Sequence, residues 1–463
     1  PNAVASFLTN SLVRRLRQNG SGDDRELRGG PAAEDHCRVL RPAKQRTREA
    51  RLAVSARSPI CHQMTSDSRD WAALDDGPAG LIADRLLAHD VADYLRFRSM
   101  CRTWRRCSAD PRSYDGLDRR FHPRLWVLLQ ERLGRTNSRC FFNSSTGKFI
   151  QVDLPELRDH YLLAHTPEGL LVLLQQLPQL GNVRLLNPLT RHIIELPPLT
   201  TLLPQGKHHV LFHDNIRYFK AWGSGIAYDD SLVVLCFYSL SLLGVAKPGD
   251  ESWTLVEFNN RLQTSPLMFA GRFYYFSVDG VMVLETSPPG PPRIEEAARR
   301  HMAVSASSST SHLVDNAGEL MMVHRVSSTE EGEPRWRYAM YRVDLGTRAL
   351  VRVNSFGGGR ALFLGMDCSL SVPVGVFPSG SISSDTIYFK FGLEEWAEVE
   401  AYHLSDRRTE PAKFNLDGFM PQPHTLADCV SLSESHSFMI SRNLQRKYYL
   451  YPFFMASSLT WSA

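Results

Sequence analysis

Three histidines crowd the stretch KHHVLFHD (207–214): His208, His209 and His213. A spacing of four, as between His209 and His213, brings two imidazoles to one helical face, where they can hold a zinc ion. The flanking residues have a strand-and-loop pattern, so the cluster reads as loop histidines. Cys101 and Cys107 stand six apart, which on a helix points the thiols to different faces. The carboxylate pairs Asp229–Asp230 and Glu394–Glu395 could do acid–base chemistry, but they sit beside turns and read as solvated charge. FGGGR (356–360) has three glycines without the strand–turn–helix setting or the Lys-Ser/Thr of a phosphate loop, and reads as a turn. There is no GxSxG nucleophile elbow. We therefore expect no catalytic residue, no cofactor, no metal and no enzyme.

The densest stretch is YLRFRSMCRTWRR (94–106). Its arginines and aromatics could clamp nucleic acid. Against that, Asp75, Asp76, Asp84, Asp90 and Asp93 lie just upstream and would repel phosphates. A surface for a partner protein explains all the features: an apolar stripe flanked by arginines whose stems cover apolar area and whose heads reach acids. Two or three short helices must position these residues. Asp76 or Gly77 can cap the first, and Pro78 suits its first turn. Leu81, Ile82, Leu86 and Leu87 then form a stripe. Asp90 can cap a second helix. From there Val91, Tyr94, Leu95, Arg98, Cys101, Trp104 and Ser108 follow helical spacing, and Pro111 closes the run. About 40 residues of helix bury little alone, so these faces must pack together or meet a partner.

The 463 residues carry a net charge of +4, but residues 1–63 alone contribute +6, which leaves the rest slightly acidic and unlike a nucleic-acid-binding body. Residues 1–66 read as a disordered basic extension. Met64 is the first methionine, so translation is expected to begin there. The rival reading of SFLTNSLVRRLR (6–17) as a transit peptide meets Asp23, Asp24 and Glu26 soon after, and such peptides avoid acids. Eight cysteines without paired spacing suggest reduced thiols in the cytoplasm or nucleus. Asn143-Ser144-Ser145 matches a glycosylation triplet, with nothing else to indicate secretion. No stretch is long and apolar enough to span a membrane, and SLVVLCFYSLSLLGVA (231–246) reads as strands.

From about residue 122 the texture changes to short runs of Val, Leu, Ile, Phe and Tyr between Gly, Pro, Asn and Asp turns. GLLVLLQ (169–175), HIIELP (192–197), FAGRFYYFSVDGVMVLE (269–285) and DTIYFKF (385–391) are examples. A loose period of about 45–60 residues is that of four-stranded propeller blades, and about six fit. The expected fold is α+β multidomain: a small all-α domain at 67–112, a connector at 113–139 leading into first strands, and an all-β propeller at 140–455.

WAALDDGPAGLIADRLLAHDVADYLRFRSMCRTWRRCSADP (71–111) resembles the F-box, which binds the adaptor Skp1 in cullin-RING ubiquitin ligases. Pro78, the Leu81/Ile82/Leu86/Leu87 stripe, Asp93 and LRFRSMCRTWR carry the resemblance. One departure is Gly77, where a Leu usually precedes the Pro. NPLTRHIIELPPL (187–199), GIAYDD (225–230), VAKPGDESWTLVEF (245–258), MYRVDL (340–345) and ALFLGMDCSLSVP (361–373) resemble the plant domain-of-unknown-function 295 family, also called the KIB-type β-propeller. Together these imply a substrate receptor of an SCF-type ligase. Pro78, Leu81, Ile82, Leu86, Leu87, Leu95, Phe97, Arg98, Cys101 and Trp104 would form the Skp1 interface, with Leu86 and Leu87 also holding the helices together. The propeller would hold an unknown target protein. The other reading is a ligand- or carbohydrate-binding propeller with no ubiquitin role. Neither nucleic acid nor membrane is an expected partner.

Overall fold

The computed structural model describes residues 75–412, except 130–136, 176–180, 205–220, 228–230, 238–239, 258–265, 287–289, 301–310, 331–332, 366–367, 378–379 and 391–398; side chains are described neither at 327–336 nor at 390. The basic extension, the histidines of 207–214, both carboxylate pairs and the chain after residue 412 lie outside the described residues.

Among the described residues three α-helices come first. α1 (Asp76–His89) follows Asp75 at its N-cap, one residue before the expected Asp76. Asp90 ends α1 and caps α2 (Val91–Met100), its carboxylate accepting from the Ala92 N–H at 2.8 Å. The sequence pattern suggests one helix from Val91 to Ser108. Instead the chain goes extended at Cys101 (φ −152°, ψ 168°) and α3 (Arg102–Arg106) starts afresh. The cause is local: the Cys101 sulfur accepts from the Trp104 N–H at 3.4 Å and so acts as a new N-cap. Ala79 and Ala83 of α1, with Tyr94, Phe97 and Phe121, form the buried centre of this helical module. Alanines four apart put two small side chains on one face and let α2 approach closely.

Among the described residues twenty-four strands follow, in six sheets. The first holds β1 (Trp126–Leu128), β2 (Ser138–Asn143) and β3 (Phe149–Asp153). The second is the meander β4 (His160–His165), β5 (Leu171–Gln175), β6 (Val183–Leu186) and β7 (Ile193–Leu196). The third is β8 (Gly223–Ala227), β9 (Leu232–Phe237), β10 (Leu242–Ala246) and β11 (Thr254–Val256). The fourth is β12 (Leu267–Phe269), β13 (Arg272–Phe276), β14 (Gly280–Glu285) and β15 (Arg293–Arg299). The fifth is β16 (Ser311–Asn316), β17 (Glu319–Glu330), β18 (Glu333–Asp344) and β19 (Ala349–Val353). The sixth has five strands in the order β21-β20-β22-β23-β24: β20 (Arg360–Leu364), β21 (Ser369–Pro373), β22 (Thr386–Lys390), β23 (Val399–His403) and β24 (Thr409–Pro411). Its β20 and β22 run parallel, and every other strand pair is antiparallel among the described residues.

Side-chain packing closes these sheets into a ring. Val233, Leu235 and Phe237 of β9 pack on the second sheet with Val172 and Leu174. Leu232, Val234 and Cys236 of the same strand pack on the fourth with Phe273 and Tyr275. Successive side chains of a strand point to opposite faces, and in a propeller both faces meet a neighbouring blade. The strands therefore read as continuous apolar runs rather than alternating ones. Further apolar seams join fourth to fifth, fifth to sixth, and first to second sheets. The ring closes where Leu129 and Phe142 of the first sheet meet Ala361, Phe363 and Phe377 of the sixth. This is a six-bladed propeller. FGGGR lies in the turn before β20, with Gly357, Gly358 and Gly359 at φ 70°, 60° and 60°.

A repeat that is faint in sequence is plain in backbone geometry. In the β2–β3 hairpin Asn143 N–H donates to the Lys148 carbonyl, Gly147 N–H returns to the Asn143 carbonyl, and Gly147 has φ 68°. Asn187, Arg191 and His192 repeat this frame in the β6–β7 hairpin, as do His403, Arg407 and Arg408 between β23 and β24. Between β18 and β19, Asp344 pairs with Ala349 and Arg348 has φ 53°. These hairpins join the two outer strands of their blades, so β2 and β3 are the outer pair of blade one.

Candidate functional site

The helical module sits on blades one and two through polar and apolar contacts. The Asp90 carboxylate that caps α2 also accepts from the Trp126 indole N–H at 2.8 Å and from the Asn143 amide at 3.2 Å. Ala92 packs in one seam with Trp126, Phe141 and Leu171. Trp126 is 1 % exposed. Phe121 is also buried, with its ring 6.1 Å from that of Tyr94, and its carbonyl accepts from the Asn187 amide at 2.8 Å. Gly116 lies so close to Ile194 and His192 that a Cβ there would stand 2.7 Å from Ile194. Beneath this junction His122 is buried, and its pKa is lowered to about 4, chiefly by loss of hydration and secondly by the Arg124 charge. Burial raises the pKa of Glu168, although one carboxylate oxygen accepts from the Ile226 N–H.

The ten residues expected at an adaptor interface divide into three groups. On the surface stand Pro78, exposed in the first turn of α1, and Leu81, 73 % exposed. Met100, absent from the expected set, adds 36 % exposure at the end of α2. Ile82, Leu86, Leu87, Leu95 and Trp104 are half-buried, packed on the module's centre. Trp104 stacks on Phe97 with ring centroids 4.5 Å apart and planes 7° from parallel.

Phe97 and Arg98, also expected at that interface, are buried in the module's interior. The Arg98 guanidinium donates to the carbonyls of Ser108 (2.5 Å) and Ala109 (2.7 Å), and pairs with Asp110 at 3.3 Å. Tyr94 OH donates to the same Ala109 carbonyl, and burial raises its pKa. These bonds tie the chain after α3 back onto α2. A guanidinium so engaged cannot also reach a partner's acid. Cys101 is likewise occupied, as the α3 cap. Helical spacing alone places these residues on the outer stripe. What covers Phe97 and Arg98 is the chain after the break at Cys101, which brings Trp104 onto Phe97 and the Ser108 and Ala109 carbonyls onto Arg98.

Among the described residues no three His, Cys, Asp or Glu side chains stand where they could hold a metal ion. No described helix is long and apolar enough to cross a membrane. The exposed apolar residues of the helical module stand on α1 and α2.

The family of the propeller is settled by comparison. Residues 141–415 match the family model described as KIB1-4 beta-propeller. The chain belongs to that family. The match opens inside β2 and takes in the last five sheets whole and part of the first, while the three helices and β1 precede it. No curated protein matches the chain. Within the KIB1-4 beta-propeller fold, sequence reasoning missed the residues that seat the helices: Asp90 reads only as a cap, and Asn143 only as a glycosylation triplet. Asn143 is fully buried with its amide engaged by Asp90, so a glycan cannot attach in the folded chain. The signal in the sequence is the pair NSSTG and NPLTR, an Asn three residues before a Thr in two consecutive blades.

Proposed function

We propose that the chain is the substrate-recognition subunit of an SCF-type ubiquitin ligase. The helical module binds a Skp1-like adaptor, and through it a cullin-RING ligase, while the propeller holds a target protein. The observation that carries this reading is the three-helix module of 76–106, whose residues resemble the F-box. It is packed on a protein-interaction fold, with Leu81, Pro78 and Met100 left at the surface. A stably folded helix seldom leaves a leucine 73 % exposed beside a proline and a methionine without a partner to cover it. The interface is centred on Pro78, Leu81 and Ile82, with the edges of Leu95 and Trp104.

The receptor does no bond chemistry of its own. It supplies proximity, raising the local concentration of a target lysine at a charged conjugating enzyme. The helices occupy the face on which the β2–β3 and β6–β7 hairpins open, and we assign the target to the opposite face of the ring. The test is reconstitution. The purified chain is mixed with Skp1, a cullin-RING core, conjugating enzyme and ubiquitin. The expected result is ubiquitylation of a protein captured by the propeller, dependent on the chain and on Skp1. Capture of targets without any Skp1-dependent ubiquitylation would overturn the proposal.

A further inference from the structure

The hairpin frame shared by four blades carries different residues at its first position, and the difference follows where the helices sit. In blades one and two that residue is asparagine, fully or almost fully buried. The Asn143 Oδ1 accepts from the Ser145 and Thr146 N–H groups, both at 3.0 Å, and the Asn187 Oδ1 accepts from Leu189 and Thr190, both at 3.1 Å. In blade five the residue is Asp344, whose Oδ1 makes the same two bonds, to Gly346 and Thr347 at 3.0 Å. An aspartate therefore satisfies the turn as well as an asparagine does. It lacks only the amide N–H, and in blades one and two that amide does separate work: Asn143 donates to the Asp90 carboxylate and Asn187 to the Phe121 carbonyl.

We infer that Asn143 and Asn187 are positioning residues, a pair of amide keys that select blades one and two as the seat of the helical module and fix its direction relative to the ring. The turn needs an acceptor and the seat needs a donor, and asparagine is the residue that supplies both from one side chain. Aspartate at 143 would set a second carboxylate against Asp90 in a partly buried place, where like charges repel and the two facing oxygens have no donor between them. The consequence for ubiquitin transfer rests on the function proposed above, but the seating does not, and it is measured without any adaptor.

The test is a distance distribution between a spin label at Arg85, exposed on α1, and one at Arg342, exposed on β18, in the full chain. Asn143→Asp with Asn187→Asp is expected to broaden the distribution, and to speed amide exchange across α2 by about tenfold or more, the equivalent of one good hydrogen bond. Asp344→Asn, which changes the same turn where no helix is seated, is expected to leave both unchanged. The reciprocal pair Asp90→Asn with Asn143→Asp restores the bond in reverse. The amide introduced at position 90 keeps its oxygen for Ala92 and Trp126 and donates to the carboxylate introduced at position 143. This pair is expected to return the distribution to the wild-type width. A wild-type distribution in Asn143→Asp with Asn187→Asp would overturn the inference. So would a reciprocal pair no narrower than Asn143→Asp alone. Should the first variant fail to fold, the reciprocal pair decides by itself, a wild-type distribution supporting the keys and a broadened one contradicting them. Absence of Skp1 binding by the wild-type chain would count against the proposed function and leave this inference to be decided by the distance distributions alone.

Discussion

The buried Arg98 guanidinium gathers two backbone carbonyls and, at its outer edge, the exposed Asp110 carboxylate. Removing it takes the guanidinium from the Ser108 carbonyl and leaves the Ala109 carbonyl with Tyr94 OH alone, a loss of about 1–3 kcal/mol. Arg98→Met is therefore expected to loosen residues 91–113 to proteolysis and hydrogen exchange while the ring's own melting transition holds. Gly77 stands at the opposite extreme. A Cβ there meets nothing within 4 Å, and a glycine inside a helix costs about 1 kcal/mol relative to good helix formers. Gly77→Leu should therefore stabilise α1 and, on the F-box reading, tighten Skp1 binding several-fold; calorimetric titration checks this. Histidines set the acid limit. His122 and His324 are buried, and burial is the leading cause that lowers each pKa from 6.5 to about 4. Below pH 6.5 the unfolded chain binds protons that the folded chain refuses. Each histidine thus contributes stability at neutral pH that drains away as pH falls from 6.5 towards 4, on the order of 3 kcal/mol apiece. Glu168, its pKa raised by burial, acts in the opposite sense. A melting temperature that falls across this window, and falls less in His324→Gln, is the expected result.

At the scale of elements, the ring was legible because its inner strands are apolar on both faces, as LVVLCF of β9 shows. The same feature hid the blade boundaries, since a continuous run does not say which residue faces which neighbour. In β9, Leu235 packs towards blade two and Val234 towards blade four. Leu235→Ala should cost about 2–5 kcal/mol, and Val234→Ala less. Because the two side chains share no partner, the double variant should lose their sum to within about 0.5 kcal/mol, read from denaturant midpoints. The helices were legible to about one residue at Asp75 and Asp90, where capping chemistry is strong. They were misread at Cys101, where a thiol does the work more often given to serine. The apolar side of the seating was legible in Phe121 and Trp126 of the connector, both buried, but its polar side was not. It depends on Asp90 reaching Asn143, fifty-three residues away in sequence, and no local pattern reports such a pair.

In the whole molecule, the helices and the ring are joined by packed chain. Phe121 and Trp126 are buried, and Gly116 lies against Ile194 and His192. A receptor that works by proximity gains from such a junction, because a defined reach concentrates the target lysine where it is needed. A flexible Gly/Ser segment inserted near Gly116 should leave Skp1 binding and target binding intact. It should slow ubiquitin transfer, since the reach becomes diffuse; transfer at an unchanged rate would mean that tethering alone suffices. All of this stands on one contact, the adaptor's. The most direct measurement is the equilibrium affinity of purified Skp1 for the full chain, wild type against Leu81→Ala with Ile82→Ala, with the melting transition of the ring followed in both. The expected result is specific binding by the wild type and a loss of about thirtyfold or more in the variant, the ring melting as before. No binding by the wild type, or equal binding by the variant, would contradict the assignment of these helices as the adaptor's seat.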